Sequence, residues 1–244
     1  MLDVWAKVAG QYTIDDQRHY QFTPRDMTSW VYGVIRYASE GGNLFEALMY
    51  EGQRLFGDRM VSVDEATRVA QAMQMVFQGQ WQASFDTSVL YTSWSSQSAA
   101  AGRCVPLGRL GLDDATELVA AKLVNYEREQ KQLNLVLFPE LLHRIARIDR
   151  VISEPGGHVL LAGRAGVGRR SALTVAAYML RMEMYSPNMT RSYDLKAFFN
   201  DLRAVVQSAG VEGKPTLLHL EDHQVSCHGL QLQSLSRTAA AAVS

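Results

Sequence analysis

The stretch His158-Val-Leu-Leu-Ala-Gly-Arg-Ala-Gly-Val-Gly-Arg-Arg-Ser171 limits what this chain can fold into more than any other. A short apolar run, Val159 to Ala162, ends in a glycine turn that opens directly into an Ala/Leu/Met-rich helical pattern. Strand, loop and helix in that order leave the backbone N–H groups of the turn free to surround a phosphate, and the helix dipole favours the negative charge there. The glycine spacing from Gly163 to Gly168 is that of the P-loop, G-x-x-x-x-G-K-[ST], with Arg164, Ala165, Gly166 and Val167 as the loop backbone. Its last two letters differ: Arg169 stands in place of Lys and Arg170 in place of Ser or Thr. Ser171 supplies the missing hydroxyl only if the loop shifts by one residue. Because a guanidinium clasps phosphate oxygens in pairs, these changes weaken the case for phosphate chemistry more than the case for phosphate binding. The plain alternative is a tight turn that holds no ligand.

A chain of 244 residues holds one large or two modest domains, and its apolar fraction of 47% with 20% charged residues is ordinary for a globular protein. A net charge of -1 gives no electrostatic footprint for nucleic acid or an acidic membrane, so neither is expected as a partner. The two cysteines form no disulfide framework and suit a reducing compartment. No apolar run reaches the roughly 18 residues of a membrane span, and the first residues lack a signal peptide pattern. A soluble intracellular protein is expected.

Pro24 followed by Asp26, with apolar Met27, Trp30, Val31, Val34 and Ile35, predicts a helix. Two more amphipathic helices are predicted over 44–56 and 63–77, and the three form a helical unit. Residues 79–110 read as a connecting loop with one short strand near 89–92. Beyond it come helices at 112–130 and 140–152, the glycine turn, a strand near 182–185, a helix at 194–207 and a strand at 216–220. Strands alternating with helices predict a parallel sheet. Trp5, Trp30, Trp81 and Trp94 read as packing residues, since no basic stripe accompanies them.

The strand Thr216-Leu-Leu-His-Leu220 ends in Glu221-Asp222, which is the form of a Walker B segment. In P-loop ATPases the first acid, normally Asp, holds Mg²⁺ and the second, normally Glu, positions the attacking water. Here the order is inverted, so Glu221 is one methylene too long and Asp222 one too short. A misplacement of about 1 Å costs around 100-fold in rate. ATP or ADP binding with weak or no hydrolysis is the expectation, with Mg²⁺ arriving only with the nucleotide. His219, His223, Cys227 and His228 mimic a metal-ligand spacing, but His219 lies inside the strand, so no protein metal site is expected.

The glycine loop with Arg147-Ile-Asp-Arg-Val-Ile152 upstream, and Tyr185-Ser-Pro with Arg191-Ser-Tyr-Asp-Leu-Lys-Ala-Phe-Phe-Asn-Asp-Leu-Arg203 downstream, resembles the fourth AAA+ module of a dynein heavy chain. The block Phe22-Thr-Pro-Arg-Asp-Met-Thr-Ser-Trp-Val-Tyr-Gly33 resembles the helical subdomain of the preceding, third module. Arg169-Arg170 and Leu220-Glu-Asp-His-Gln224 are most like the dyneins of retrograde intraflagellar transport. The resemblance covers residues 1 to 224. It implies an α/β architecture: a helical AAA+ lid with connecting loop over 1–110, then an incomplete P-loop parallel sheet domain over 111–224. Residues 225–244 are expected as a low-complexity, disordered or aberrant tail that leaves the sheet open, marking the chain as a truncated fragment.

By the same resemblance Arg25 is a sensor-2-like arginine facing nucleotide of the third module, and Leu137 and Phe138 pack on adenine. Their ordinary alternatives are a solvated first-turn arginine and core residues. The partners implied are other AAA+ modules of the same heavy chain. Dynein intermediate chains, light chains and microtubules follow only through the full-length parent, in the cytoplasm, the cytoskeleton and the cilium axoneme. Three functional readings remain: part of an ATP-driven, minus-end-directed motor, a non-hydrolysing structural wedge, and a nonfunctional truncated product.

Overall fold

The carboxylate of Asp26 accepts the backbone N–H of Thr23 at 2.7 Å and its hydroxyl at 3.2 Å, and Pro24 occupies the first helical position. This cap satisfies donors that a helix start otherwise leaves without partners. It sets the entry of α2 (Pro24–Ile35), one of four α-helices among the described residues of the first of two units into which the chain divides. The computed structural model describes residues 1–37, 43–78, 88–95, 105–164, 166–190, 193–221 and 224, together with the backbone of 238–243.

The first unit comprises Met1–Val89 and Pro106–Arg109. Besides α2 it contains α1 (Leu2–Gln11), α3 (Leu44–Leu55) and α4 (Val63–Gln78), one helix more than the periodicity indicates. Val4, Val8, Trp30, Phe45, Met49, Phe56, Val69, Met73 and Phe77 form its core. Trp30 is fully buried, donates its indole N–H to the Leu48 carbonyl at 3.1 Å and stands edge-on to Phe56 and Phe77. Gly52 allows this approach, because a Cβ there would lie 2.6 Å from the Trp30 ring and 2.2 Å from the Met73 methyl.

The second unit comprises Leu90–Val105 and Leu110–Ser244. Its helices are α5 (Leu112–Glu129), α6 (Pro139–Ile152), α7 (Arg169–Met179) and α8 (Leu195–Gly210). Short strand β1 (Leu90–Thr92) belongs to it, and β2 (Gly108–Leu110), whose first two residues fall in the first unit's segment, precedes α5. The four-stranded sheet contains β3 (His158–Leu161), β4 (Glu183–Tyr185), β5 (Thr216–Leu220) and β6 (Thr238–Val243), in the order β3-β6-β5-β4. The core gathers Leu141, Ile145 and Ile148 of α6, Ala172, Leu173 and Ala176 of α7, and Leu217 of β5. Every residue from Ala172 to Ala177 is buried, which accounts for the small side chains of α7. Asp149, buried in α6, accepts the Ser93 backbone N–H at 2.7 Å and the Ser93 hydroxyl at 2.6 Å, tying down the turn that follows β1.

The sheet departs from the sequence expectation in two ways. β4 and β5 pair in parallel, but β6 runs antiparallel to both β3 and β5, so the sheet is mixed. Thr238–Val243 were expected in a tail without regular structure beside an open sheet, and they lie between β3 and β5 instead. Unpaired N–H and C=O groups on a strand edge are a template for any extended segment. The run before the glycine turn is also less buried than expected: burial alternates along β3, and Leu160 is 50% exposed. Period-2 burial is what a strand packed on one face shows.

Candidate nucleotide site

Pairing through β6 brings two chain ends to the same edge of the sheet. Leu160 and Leu220 both oppose Ala239, so β3 and β5 run parallel, one strand apart, and finish level with each other. The glycine loop leaves the end of β3 and Glu221 leaves the end of β5. Ligands of open α/β sheets bind beyond such carboxyl ends.

Gly166 and Gly168 have φ of +81° and +74°, in the left-handed region that glycine enters without a Cβ penalty. Gly168 is the N-cap of α7, so the loop feeds straight into the N-terminus of that helix. Two arginines brace the loop. Arg169, at the lysine position, donates Nη1–H to the Leu161 carbonyl at 3.1 Å, one of the five N–H donors of its guanidinium. Arg144 of α6 donates Nη1–H to the Val167 carbonyl at 2.5 Å. The sequence reading missed Arg144, because a charged residue on the polar side of an amphipathic helix carries no signal of its own. Gly163, Arg164, Gly166 and Val167 are exposed around the loop, and Ala165 lies outside the described residues.

Arg170 points at the acid of the neighbouring strand end: its Nη1 lies 3.2 Å from Glu221 Oε1, with the side chains 65% and 24% exposed. His219 Nε2 is 3.9 Å from the same oxygen. Gln224, also missed as a site residue, is buried; its Oε1 accepts the Glu221 backbone N–H at 2.8 Å. Its Nε2–H donates to the Pro187 carbonyl at 2.7 Å and to the Ser186 hydroxyl at 3.2 Å, fixing the end of β5 to the segment after β4. Nearby, burial and the carboxylate of Asp201 push the Tyr193 phenol far above its ordinary range. The Tyr193 O–H donates to Asp201 at 2.5 Å, and burial and Asp201 raise Tyr185 as well. Both phenols therefore stay neutral near pH 7.

The remaining sequence candidates divide. Ser171 sits in the first turn of α7, one residue past the position of the motif's hydroxyl. Leu137 packs against the core with Leu133 and Leu135, while Phe138 is 43% exposed at the start of α6. Arg25 is exposed in the first turn of α2, within the helical unit. Asp222, His223, Cys227 and His228 lie outside the described residues; among the described residues no His, Cys, Asp and Glu cluster could hold a metal ion. No helix among the described residues is long and apolar enough to cross a membrane.

The glycine loop and the acid-tipped strand at one sheet edge are matched by sequence comparison. Residues 133–235 fit the model of the P-loop containing dynein motor region D4, and residues 1–66 fit that of the dynein heavy chain ATPase lid domain. The chain belongs to the dynein heavy-chain family. It is 43% identical over 231 residues to cytoplasmic dynein 2 heavy chain 1 of Chlamydomonas reinhardtii, an alignment covering 92% of this chain and 5% of that protein. The human protein of the same name is 37% identical over 244 residues, covering 92% of this chain and 6% of the relative. The cytoplasmic dynein heavy chain of Drosophila melanogaster is 28% identical over 235 residues, with 92% and 5% covered. The chain thus spans about one twentieth of the length of these relatives. The architecture of a helical lid followed by part of a P-loop α/β module agrees with both matched regions.

Proposed function

We propose that this chain contributes a nucleotide-binding, regulatory AAA+ module to a dynein-type motor, with weak or no hydrolysis of its own. The supporting observation is the glycine loop, held with positive φ at Gly166 and Gly168 and running into the α7 N-terminus. Backbone N–H groups of Gly166 to Arg170 and the guanidinium of Arg169 are the groups to receive the phosphates of ATP or ADP. Arg144 holds the loop in shape through the Val167 carbonyl. Phe138 is accessible to an adenine, while Leu137 serves packing. Weak turnover follows from Glu221, the first acid of the pair, which is engaged by Arg170 rather than left to hold a metal ion.

Through a full-length parent, the module would work with other AAA+ modules of the same heavy chain, with intermediate and light chains and with microtubules. Its setting would be ATP-driven, minus-end-directed retrograde transport in the cilium axoneme, within the cytoplasm and its cytoskeleton. Arg25 would serve as a sensor-2-like residue toward nucleotide of the preceding module.

Equilibrium dialysis of the full chain against ATP and ADP, paired with phosphate-release measurement, tests the module's own part. Binding without phosphate release is expected. Release that disappears in Glu221→Gln would overturn the non-hydrolysing assignment, and no binding of either nucleotide would leave only a structural wedge.

A further inference from the structure

Arg170 puts a positive charge at the position where the motif of P-loop enzymes carries its metal-binding hydroxyl. In those enzymes Mg²⁺ is held by the hydroxyl of the residue after the lysine and by a Walker B acid, and it neutralises the phosphate oxygens. Here the residue after Arg169 is Arg170, which offers five N–H donors and no acceptor oxygen. Its guanidinium reaches across the sheet edge to Glu221, 3.2 Å away, and takes up the carboxylate that begins the acid pair. Ser171 does not restore the ligand, because one further residue along an α-helix is turned by about 100°. Mg²⁺ is held through one or two carboxylates with waters and substrate phosphates, and the carboxylate described here, Glu221, is already paired with a guanidinium, so these described residues suit it poorly. They do fit an anion.

The pair is not explained as a stabilising contact. With Arg170 65% exposed, solvent screens the pair and it contributes little to stability. Its guanidinium is therefore held loosely enough to turn from Glu221 to a phosphate oxygen, and Arg169 beside it adds a second cation. We propose that the site binds nucleoside diphosphates and triphosphates without a divalent metal, Arg170 supplying the charge that Mg²⁺ supplies elsewhere. This rests on the nucleotide-binding reading above and specifies its metal requirement.

Fluorescence anisotropy of mant-ADP titrated with the full chain, in EDTA and in millimolar MgCl₂, is the test. Equal affinity in the two buffers, within about threefold, is expected, since each tenfold change corresponds to about 1.4 kcal/mol. Arg170→Ser places a hydroxyl at the motif's metal-binding position and removes the guanidinium from Glu221. It should weaken binding in EDTA by tenfold or more and recover at least part of the loss with MgCl₂. As Arg170 is an exposed residue, the variant is expected to fold, which circular dichroism checks. Wild-type binding that appears only with MgCl₂ would overturn the inference and leave nucleotide binding intact. So would an Arg170→Ser variant as indifferent to the metal as the wild type. Absence of wild-type binding in both buffers would overturn nucleotide binding itself, and the inference with it.

Discussion

Replacing Gly168 by alanine isolates the contribution of one backbone conformation to the site. Gly168 has φ +74°, and a Cβ built there meets nothing within 4 Å, so steric conflict with neighbours plays no part. The cost is conformational: an L-residue in the left-handed region is disfavoured by about 1–2 kcal/mol, offset by roughly 0.4–1 kcal/mol from a stiffer unfolded chain. Overall stability should then fall by no more than about 1.5 kcal/mol. The nucleotide reads the change differently. If the loop escapes the penalty by moving to negative φ, at least one N–H of the phosphate cradle turns away. A hydrogen bond to a charged group contributes about 1.5–3 kcal/mol, so ADP affinity should drop by about 10- to 100-fold. Asparagine visits the left-handed region more readily, and Gly168→Asn should stay within about fivefold of wild type. Gly210→Ala, with open space around it and no positive φ, is the control and should leave affinity unchanged. Isothermal titration calorimetry gives the ranking. Equal affinities for Gly168→Ala, Gly168→Asn and wild type would refute the reasoning.

Gly52→Ala should destabilise the helical unit by up to about 2 kcal/mol in urea unfolding, because crowding of the hydrogen-bonded Trp30 ring and the Met73 methyl, about 1–3 kcal/mol, outweighs a helix-propensity gain of about 1 kcal/mol. Gly10→Ala, with nothing within 4 Å, should instead stabilise; the same sign for both would contradict the packing. Burial alone would raise the pKa of Asp26, but the Arg59 guanidinium and the Thr23 N–H outweigh it and hold the carboxyl below its ordinary range. A depressed native pKa contributes stability above the unfolded value of about 3.9, lost as pH falls through the native one. Asp26→Asn should therefore be less stable than wild type at pH 7, with the gap closing toward pH 3; a gap that does not vary with pH would contradict this. Ala240→Pro removes an N–H from the strand between Val159 and His219 and should lower hydrogen-exchange protection in β3 and β5; unchanged protection would show that β6 is not docked there.

Glycine spacing and apolar periodicity made the helices and the loop legible, since both are local signals. α2 begins at Pro24, α6 ends at Ile152 and α7 opens from Gly168 because caps and turns are written in neighbouring residues. Tertiary facts were less legible. Nothing local to Arg144 announces that it braces Val167, since the two meet only when α6 lies beside the loop. Likewise Gln224 reaches Ser186 and Pro187 only once the end of β5 meets the segment after β4. The strand Thr238–Val243 was hidden because an alanine run has low β-propensity, and its pairing comes from open edges elsewhere. For Leu137 and Phe138 the sequence left adenine contact and core packing open; alternation along the extended segment sends the first to the core and the second outward.

Amide chemical-shift mapping of the ¹⁵N-labelled chain during titration with ADP tests most directly whether the glycine turn grips phosphate. Shifts concentrated at Gly163 to Ser171, led by the N–H groups of Gly166, Gly168 and Arg169, are predicted, with smaller changes at Glu221. Unperturbed loop amides at saturating ADP, or perturbations gathered elsewhere in the chain, would contradict the account.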